Sequence, residues 1–157
     1  MRTDVEDDND DVINRYFSFY IEDEEYSIPI SSVEEIICYQ ELTHIPETKK
    51  FIVGSINLRG KVIAIIDVRI KLGIEPKVLD NRSCIIVINH RDSLLGLLVD
   101  RVSEVQDIPP NDITSTLDNK EKEYVSKIAK VGETTKFIIN LDQLLSDESP
   151  EISIELN

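Results

Sequence analysis

The sequence predicts an all-β protein made of two similar small barrels with short helical turns. Apolar segments of strand length recur along the chain, separated by polar or glycine-containing turns. Their order also repeats, because residues between Tyr26 and Ile36 match residues between Leu95 and Val105 at a constant offset of 69. A lone sheet of such strands would have exposed edges and a thin core. Each copy is therefore expected to curl into a five-stranded barrel that packs against the other.

The first copy is expected over residues 15–73. Apolar residues alternate with polar ones from Tyr26, which is the period of a half-buried strand. Pro29 cannot donate a ladder hydrogen bond and predicts an edge or a bulge. Arg59-Gly60 is a hairpin turn in which glycine supplies a positive φ. The expected elements are strands at 15–21, 26–30, 35–43, 52–58 and 61–66, and a helical turn at 67–72.

The second copy is expected over residues 83–145, after a connector at 74–82. Its predicted strands lie at 83–88, 94–99, 102–108, 124–131 and 135–140, with a closing turn at 141–145. Ile65-Ile66-Asp67-Val68 matches Ile138-Ile139-Asn140-Leu141 at an offset of 73. Alternating strands resemble one another in any β protein, but the pattern Val-x-Glu-[Ile/Val] recurs in place and favours a repeat.

The formal net charge of −14 is concentrated at the two ends of the chain. Residues 1–14 hold six acids and one base, and residues 146–157 hold four acids and no base. Such runs without apolar periodicity predict disordered acidic tails. Nucleic acid is disfavoured as a partner, because binding a phosphate backbone requires clustered Lys and Arg.

The sequence shows no leader peptide and no apolar run long enough to cross a bilayer, so no membrane insertion is expected. Cys38 and Cys84 lie in apolar stretches without C-x-x-C spacing. They are expected to be buried free thiols in a reducing cytoplasm, although a disulfide between them remains open.

The chain offers no recognisable catalytic, cofactor or metal site. The segment Gly54–Lys61 fails as a phosphate-binding loop, because Arg59 stands where a second glycine is needed and a strand follows. His44 and His90 lack the partners of a zinc site. The sequence therefore predicts a protein that is not an enzyme and needs no cofactor.

Two surface features remain as candidates for binding. Arg59 at a tight turn could hold its planar guanidinium where it meets a partner carboxylate, or it could serve solubility alone. The segment Val33-Glu34-Glu35-Ile36 could be a contact surface or a barrel corner with an exposed acidic pair.

Several motifs together resemble the CheW family of chemotaxis coupling proteins, over about residues 15–145. They are Val33-Glu34-Glu35-Ile36-Ile37, Ile45-Pro46, Gly54-Ser55-Ile56-Asn57-Leu58-Arg59-Gly60, Val62-Ile63-Ala64-Ile65-Ile66-Asp67-Val68-Arg69 and Leu95-Gly96-Leu97-Leu98-Val99-Asp100-Arg101-Val102-Ser103-Glu104-Val105. The sequence departs from the family pattern at Ala64, where proline is usual, and at Asn140, where an apolar residue is common.

The resemblance implies two SH3-like barrels and a role as an adaptor. Such proteins couple the cytoplasmic tips of chemoreceptors (methyl-accepting chemotaxis proteins) to the regulatory domain of the histidine kinase CheA, in cytoplasmic arrays attached to the membrane. The residues implied on the receptor-facing surface are Val33, Glu35, Gly54, Asn57 and Arg59. The residues implied near the kinase are Asp100, Val102 and Val105.

The expected mechanism is recruitment of a receptor helix to the cleft between the barrels. That cleft would supply an apolar groove, while Arg59 and Glu35 set the register by charge pairing at its rim. Two alternatives remain open. One is a CheW-like scaffold of a receptor–kinase pathway outside chemotaxis, and the other is a double barrel that binds a small ligand.

Overall fold

The computed structural model describes residues 14–46, 49–75, 78–115 and 124–146. The predicted acidic tails lie almost wholly outside these ranges. Within them the chain forms eleven strands and two short helices. The strands are β1 (Arg15–Ile21), β2 (Glu24–Pro29), β3 (Val33–Cys38), β4 (Ile52–Leu58), β5 (Lys61–Asp67), β6 (Cys84–His90), β7 (Ser93–Val99), β8 (Arg101–Asp107), β9 (Ile113–Ser115), β10 (Val125–Val131) and β11 (Thr134–Ile139). The helices are α1 (Val68–Lys71) and α2 (Leu141–Ser146), and 3₁₀ turns lie at Ile30–Ser32 and Pro110–Asp112.

The strands form two sheets, as the all-β prediction requires. The first sheet has six strands in the order β8-β1-β2-β11-β10-β9, and the second has five in the order β3-β6-β7-β5-β4. Most neighbours are antiparallel, but β2 pairs parallel with β11, and β5 pairs parallel with β7. The all-β class with two packed sheets is confirmed.

The predicted repeat is visible in the strand registers. Phe17 pairs with Ile28 in the first sheet, and 69 residues later Ile86 pairs with Leu97 in the second. The irregularities repeat as well, since the register shift between β4 and β5 at 52–54 recurs between β10 and β11 at 125–127. The two sheets are therefore two copies of one pattern.

The strand pairing differs from the expected division of the chain into residues 15–73 and 83–145. Each copy gives its first two strands to one sheet and its remaining strands to the other. The hairpin β1–β2 joins β8, β9, β10 and β11, while the hairpin β6–β7 joins β3, β4 and β5. A repeat offset reveals that two copies exist, but it cannot reveal which copy supplies each strand's partner.

The sixth strand of the first sheet, β9, was not predicted. It pairs with β10 through Thr114 and Ile128. The second sheet has a reduced counterpart, in which Thr43 and Ser55 form an isolated bridge with two hydrogen bonds of 2.8 Å. Thr43 follows β3, and Ser55 lies in β4. The bridge therefore connects the segment after one edge strand of the sheet to the strand at the opposite edge.

The largest core lies between the two sheets. Phe19 and Tyr26 stack within it with ring centroids 6.1 Å apart. The expectation that the strand at Tyr26 is half-buried and lies at an edge or a bulge is wrong, and its register with β1 is unbroken. β2 is an interior strand, its Ser27 and Glu25 side chains are also buried, and Pro29 is its last residue.

The first barrel is formed by the six-stranded sheet and the second barrel by the five-stranded sheet, and their interiors differ in chemistry. The second barrel encloses an apolar cluster that includes Ile63. At the matching position of the first barrel, 73 residues later, stands Lys136, whose side chain is only 2% exposed. Its Nζ lies 3.1 Å from carboxylate oxygens of both Glu25 and Glu104, which compensate the buried charge.

Within the described residues, no helix combines the length and apolar character that a membrane span requires.

Candidate functional site

The hairpin between β4 and β5 presents Arg59 to solvent. Arg59 and Gly60 both adopt positive φ, at 50° and 86°, as a two-residue type I′ turn requires. The amide of Gly60 donates a 3.0 Å hydrogen bond to Oδ1 of Asn57 and so holds the turn. Gly60 was expected to have this conformation. For Arg59 it is uncommon, and the Arg59 side chain is 72% exposed.

The Arg59 guanidinium pairs with Glu35 of β3. Both of its terminal nitrogens donate to the carboxylate, one to each oxygen. This contact lowers the pKa of Glu35, first through the hydrogen bond and then through the charge of Arg59. Because β3 and β4 are opposite edges of the second sheet, the pair spans the seam where that sheet curls into a barrel.

The other three residues of the predicted receptor surface have different positions. Asn57 is exposed beside Arg59, at the start of the turn. Val33 is partly buried and packs against the core between the sheets. Gly54 is buried, and a Cβ there would lie 2.8 Å from Leu42 Cβ and 2.8 Å from the Thr43 carbonyl oxygen. Gly54 thereby permits the segment at 42–43 to cross β4 closely.

The residues predicted near the kinase divide in the same way. Val102 and Val105 are 37% and 51% exposed on β8, an edge strand of the first sheet. Asp100 is only 7% exposed. Its carboxylate is engaged by Arg69 inside the protein.

The partner of Asp100 is the buried guanidinium of Arg69. Arg69 Nε and Nη2 donate to the two Asp100 oxygens at 2.9 and 2.8 Å, which raises the pKa of Arg69. Nη1 of Arg69 donates to the Glu75 carbonyl at 2.6 Å and lies 2.9 Å from Glu22 Oε2. The Glu22 amide also donates to Asp100 at 2.7 Å. Since Glu22 joins β1 to β2 and Arg69 follows β5, this network ties the first sheet to the second.

The two departures from the family pattern have local explanations. Asn140 Oδ1 accepts a 3.0 Å hydrogen bond from the Gln143 amide and thereby caps α2. Asp67 caps α1 in the same manner through the Arg69 amide at 2.9 Å. Ala64 is fully buried in the core between the sheets, where a small side chain fits.

Among the described residues, the cleft between the sheets shows a mainly polar pocket where an apolar groove was expected. The pocket has a volume of about 300 Å³ and is lined by Tyr16 and Lys127 from the first sheet and His90 from the second. Much of its lining is polar, and His90 Nε2 lies 3.4 Å from Asp142 at its rim. The apolar surface lies instead at the sheet edges and at β5, where Ile36, Val62 and Val105 are exposed.

Among the residues described, His, Cys, Asp and Glu side chains form no group of three or more that could hold a metal ion. The structure brings the predicted turn at Arg59 together with Glu35. The buried polar networks around Asp100 and Lys136 were not predicted. Arg69 and Asp100 do stand in the motifs quoted above, each at the end of an apolar run, and that position was the available signal. Lys136 gave no such signal, because Thr134-Thr135-Lys136 looks like an exposed strand end.

Comparison with known proteins identifies the family. The model of the CheW-like domain matches residues 15–149. Chemotaxis protein CheW from Helicobacter pylori is 32% identical over 91% of this chain and 87% of the relative, and that from Klebsiella aerogenes is 33% identical over 85% and 82%. The crystal structure of the scaffolding protein TtCheW from Thermoanaerobacter tengcongensis superimposes with a TM-score of 0.79 and 34% identity, covering 84% of this chain and 92% of that one. With its fold, repeat and motifs all in agreement, this chain belongs to the CheW family.

Proposed function

We propose that this protein is a non-catalytic adaptor that couples the cytoplasmic tips of chemoreceptors to the histidine kinase CheA. The observation that carries the proposal is the extent of the family match, which runs over residues 15–149 and so includes both sheets. The relatives are named as chemotaxis proteins, and the matching crystal structure is described as a scaffolding protein.

The receptor-facing surface is proposed at the seam of the second barrel. Arg59 and Glu35 form its charged centre, with Asn57 beside them and with Val33 and Gly54 as supporting residues. An exposed Arg–carboxylate pair can exchange its internal partner for one on a docking helix at little cost, because both groups remain close to water. The guanidinium is planar and presents several donors, so it can bind two carboxylates at once.

The kinase-facing surface is proposed on β8, at Val102 and Val105. An edge strand with exposed valines offers a partner apolar side chains at the border of a sheet. The surface lies on the first sheet, whereas the receptor surface lies on the second. One molecule could therefore bind both partners at once.

The proposed mechanism is recruitment within a cytoplasmic array of many linked copies. A contact centred on one exposed ion pair is weak alone, and linkage of neighbouring sites raises the apparent affinity. The adaptor would hold the kinase where movement of the receptor shifts its conformational equilibrium.

The test is Arg59→Asp, with Arg91→Asp as its matched control. Arg91 also lies in a hairpin turn with a positive φ of 53°, is 74% exposed and faces a carboxylate, that of Asp142. Both variants make the same change of charge. Arg59→Asp should weaken binding to a receptor tip fragment about tenfold in a pull-down or titration, while leaving CheA binding unchanged. Wild-type receptor binding by Arg59→Asp, or an equal loss in Arg91→Asp, contradicts the proposed surface.

The exchange variant Glu35→Arg/Arg59→Glu separates barrel closure from binding. It preserves an ion pair across the seam but reverses the charges presented to a partner. Thermal unfolding should match that of the wild type, and receptor binding should remain weak. Full recovery of binding would mean that the pair acts only within the barrel.

A second candidate is a scaffold for a receptor–kinase pathway outside chemotaxis. It is favoured by one relative, Protein PilI from Pseudomonas aeruginosa, which is 30% identical over 57% of this chain and 50% of the relative. Binding assays with receptor tips from different signalling systems would distinguish the candidates, because the proposed function requires preference for a chemotaxis receptor.

A further inference from the structure

The two cysteines face each other across adjacent strands. Cys38, the last residue of β3, stands directly opposite Cys84, the first residue of β6, in an antiparallel pair. The Tyr39 amide donates to the Ser83 carbonyl at 3.1 Å. This bond lies on the position next to the cysteines, so they occupy a non-hydrogen-bonded pair, in which the two Cα atoms are about 4.5 Å apart.

That separation lies within the range a disulfide tolerates. Bridged cysteines have Cα atoms about 4.4–6.8 Å apart and Cβ atoms about 3.5–4.5 Å apart. Cross-strand Cβ atoms are ordinarily about 4.5–5.5 Å apart, so a small approach of the strands would complete the geometry. Among the strands that the structure describes, β3 lies at an edge and pairs with β6 alone, so a neighbour restrains it on one side.

The two thiols have different environments. Cys38 is exposed, contrary to the expectation that both are buried, whereas Cys84 is partly buried against the core between the sheets. The Cys84 thiol donates to the Arg82 carbonyl at 3.3 Å. Burial raises the pKa of Cys84, and the nearby Cys38 raises it further. The exposed thiol is thus the one that a dissolved oxidant meets first.

We propose that Cys38 and Cys84 are a modification site, a dithiol that peroxide converts into a reversible cross-strand disulfide. Sulfur of Cys38 attacks hydrogen peroxide, the O–O bond breaks, and the products are a sulfenic acid at Cys38 and one water molecule. Sulfur of Cys84 then attacks the Cys38 sulfur, the S–O bond breaks, and a second water leaves with the proton of the Cys84 thiol. The two sulfurs are oxidised and the peroxide is reduced.

The bond would be easily reversed. Disulfides that are exposed or somewhat strained are reduced more readily than buried structural ones. Oxidation would fasten the end of β3 to β6, three residues beyond Glu35 on the same strand. The proposed Cys38–Cys84 disulfide is inferred from the strand register and does not depend on the proposed receptor contact.

The experiment treats the full chain, at low micromolar concentration, with increasing hydrogen peroxide. Remaining thiols are alkylated, and intact mass and peptide mapping are read out. The wild type should lose both thiols together and gain a peptide linking Cys38 to Cys84 while remaining a monomer. Dithiothreitol should restore both thiols. The oxidised form should unfold about 5 °C or more above the reduced form, since the bond closes a long loop.

Cys84→Ser is the control, because it keeps the exposed thiol and removes the resolving one. It should accumulate a sulfenic acid at Cys38 that a dimedone probe traps, and the wild type should yield at least tenfold less of that adduct. The proposal is overturned if wild-type Cys38 is trapped or overoxidised while Cys84 stays free. It is also overturned if the product is a disulfide-linked dimer, or if neither thiol reacts.

Discussion

Two ion pairs in this molecule show how strongly burial changes the energetic cost of losing a carboxylate. Asp100 and Arg69 are 7% and 4% exposed, and they meet through two hydrogen bonds inside the protein. Asp107 and Arg15 meet at 3.0 Å with side chains 65% and 48% exposed. Removing a partner from a buried pair leaves an uncompensated charge away from water, whereas an exposed partner is simply hydrated.

Asp100→Asn is therefore expected to destabilise the fold, and Asp107→Asn is its control. The first variant should lower the free energy of unfolding by about 3 kcal/mol, because Arg69 keeps its charge, loses its buried counter-ion and retains only the half-exposed carboxylate of Glu22. For a chain of this size the corresponding fall in Tm is about 10 °C. Asp107→Asn should change the free energy by less than about 1 kcal/mol. Thermal and urea unfolding of both variants measure the difference, and equal Tm values for the two would contradict it.

Individual residues were the hardest level to predict from the sequence. The turn at Arg59-Gly60 was predictable, because glycine beside a short polar break between apolar runs has few other uses. The roles of Gly54 and Asp100 were not, since each is set by a neighbour distant in sequence: Leu42 for one and Arg69 for the other. A motif marks that a residue matters without stating whether it faces solvent or the interior.

At the scale of elements, the edge strands β3 and β8 occupy matching positions in the two sheets. Each ends its sheet, and each carries exposed apolar side chains, Ile36 on β3 and Val105 on β8. Val105 pairs with Phe17, and Ile36 pairs with Ile86, so both continue the apolar face of their sheet beyond its covered part. Exposed apolar side chains at the edge of a sheet are a usual feature of protein contact surfaces.

Val105→Asp should weaken binding to the CheA regulatory domain about tenfold, because it places a charge within the proposed kinase surface. Val62→Asp is the matched control. Val62 is also 51% exposed, but it lies on β5 in the second sheet. Titration of each variant with the regulatory domain measures the effect. Comparable affinity in the two variants would place the kinase contact elsewhere.

Elements were largely predictable, and most bounds agree with expectation to within two residues, but the strand expected at 35–43 ends at Cys38. The reason is that apolar alternation reports burial directly. The failures have physical causes. β2 was expected at an edge because of Pro29, yet a proline at the last position of a strand removes no ladder bond that the strand needs. β9 has three residues, too few to show a period.

At the scale of the whole molecule, the exchange of hairpins makes the two barrels depend on each other. The hairpin β1–β2 lies between β8 and β11, and β6–β7 lies between β3 and β5. Neither half of the chain contains the neighbours that its own hairpin needs. The sequence could not indicate this, because both ways of pairing use the same strands with the same alternation.

Cleaving the chain between the repeats should therefore leave the two fragments bound to each other. A protease site inserted after Val78, which is 90% exposed in the connector, would allow a single cleavage. The two fragments should co-elute on size exclusion under native conditions and retain the β signal in circular dichroism, separating only in denaturant. Separation without denaturant, into pieces that each keep the β signal, would show that each half is an independent domain.

The hairpin exchange also constrains the ancestry of the fold. If the two repeats arose by duplication, the ancestral gene encoded a polypeptide of half this length. Alone, such a polypeptide would have strands without neighbours on either side of its first hairpin. It could fold only by exchanging that hairpin with a second identical molecule, as a domain-swapped dimer about a two-fold axis. Gene fusion would then have converted an obligate homodimer into a single chain, freeing its two equivalent faces to diverge.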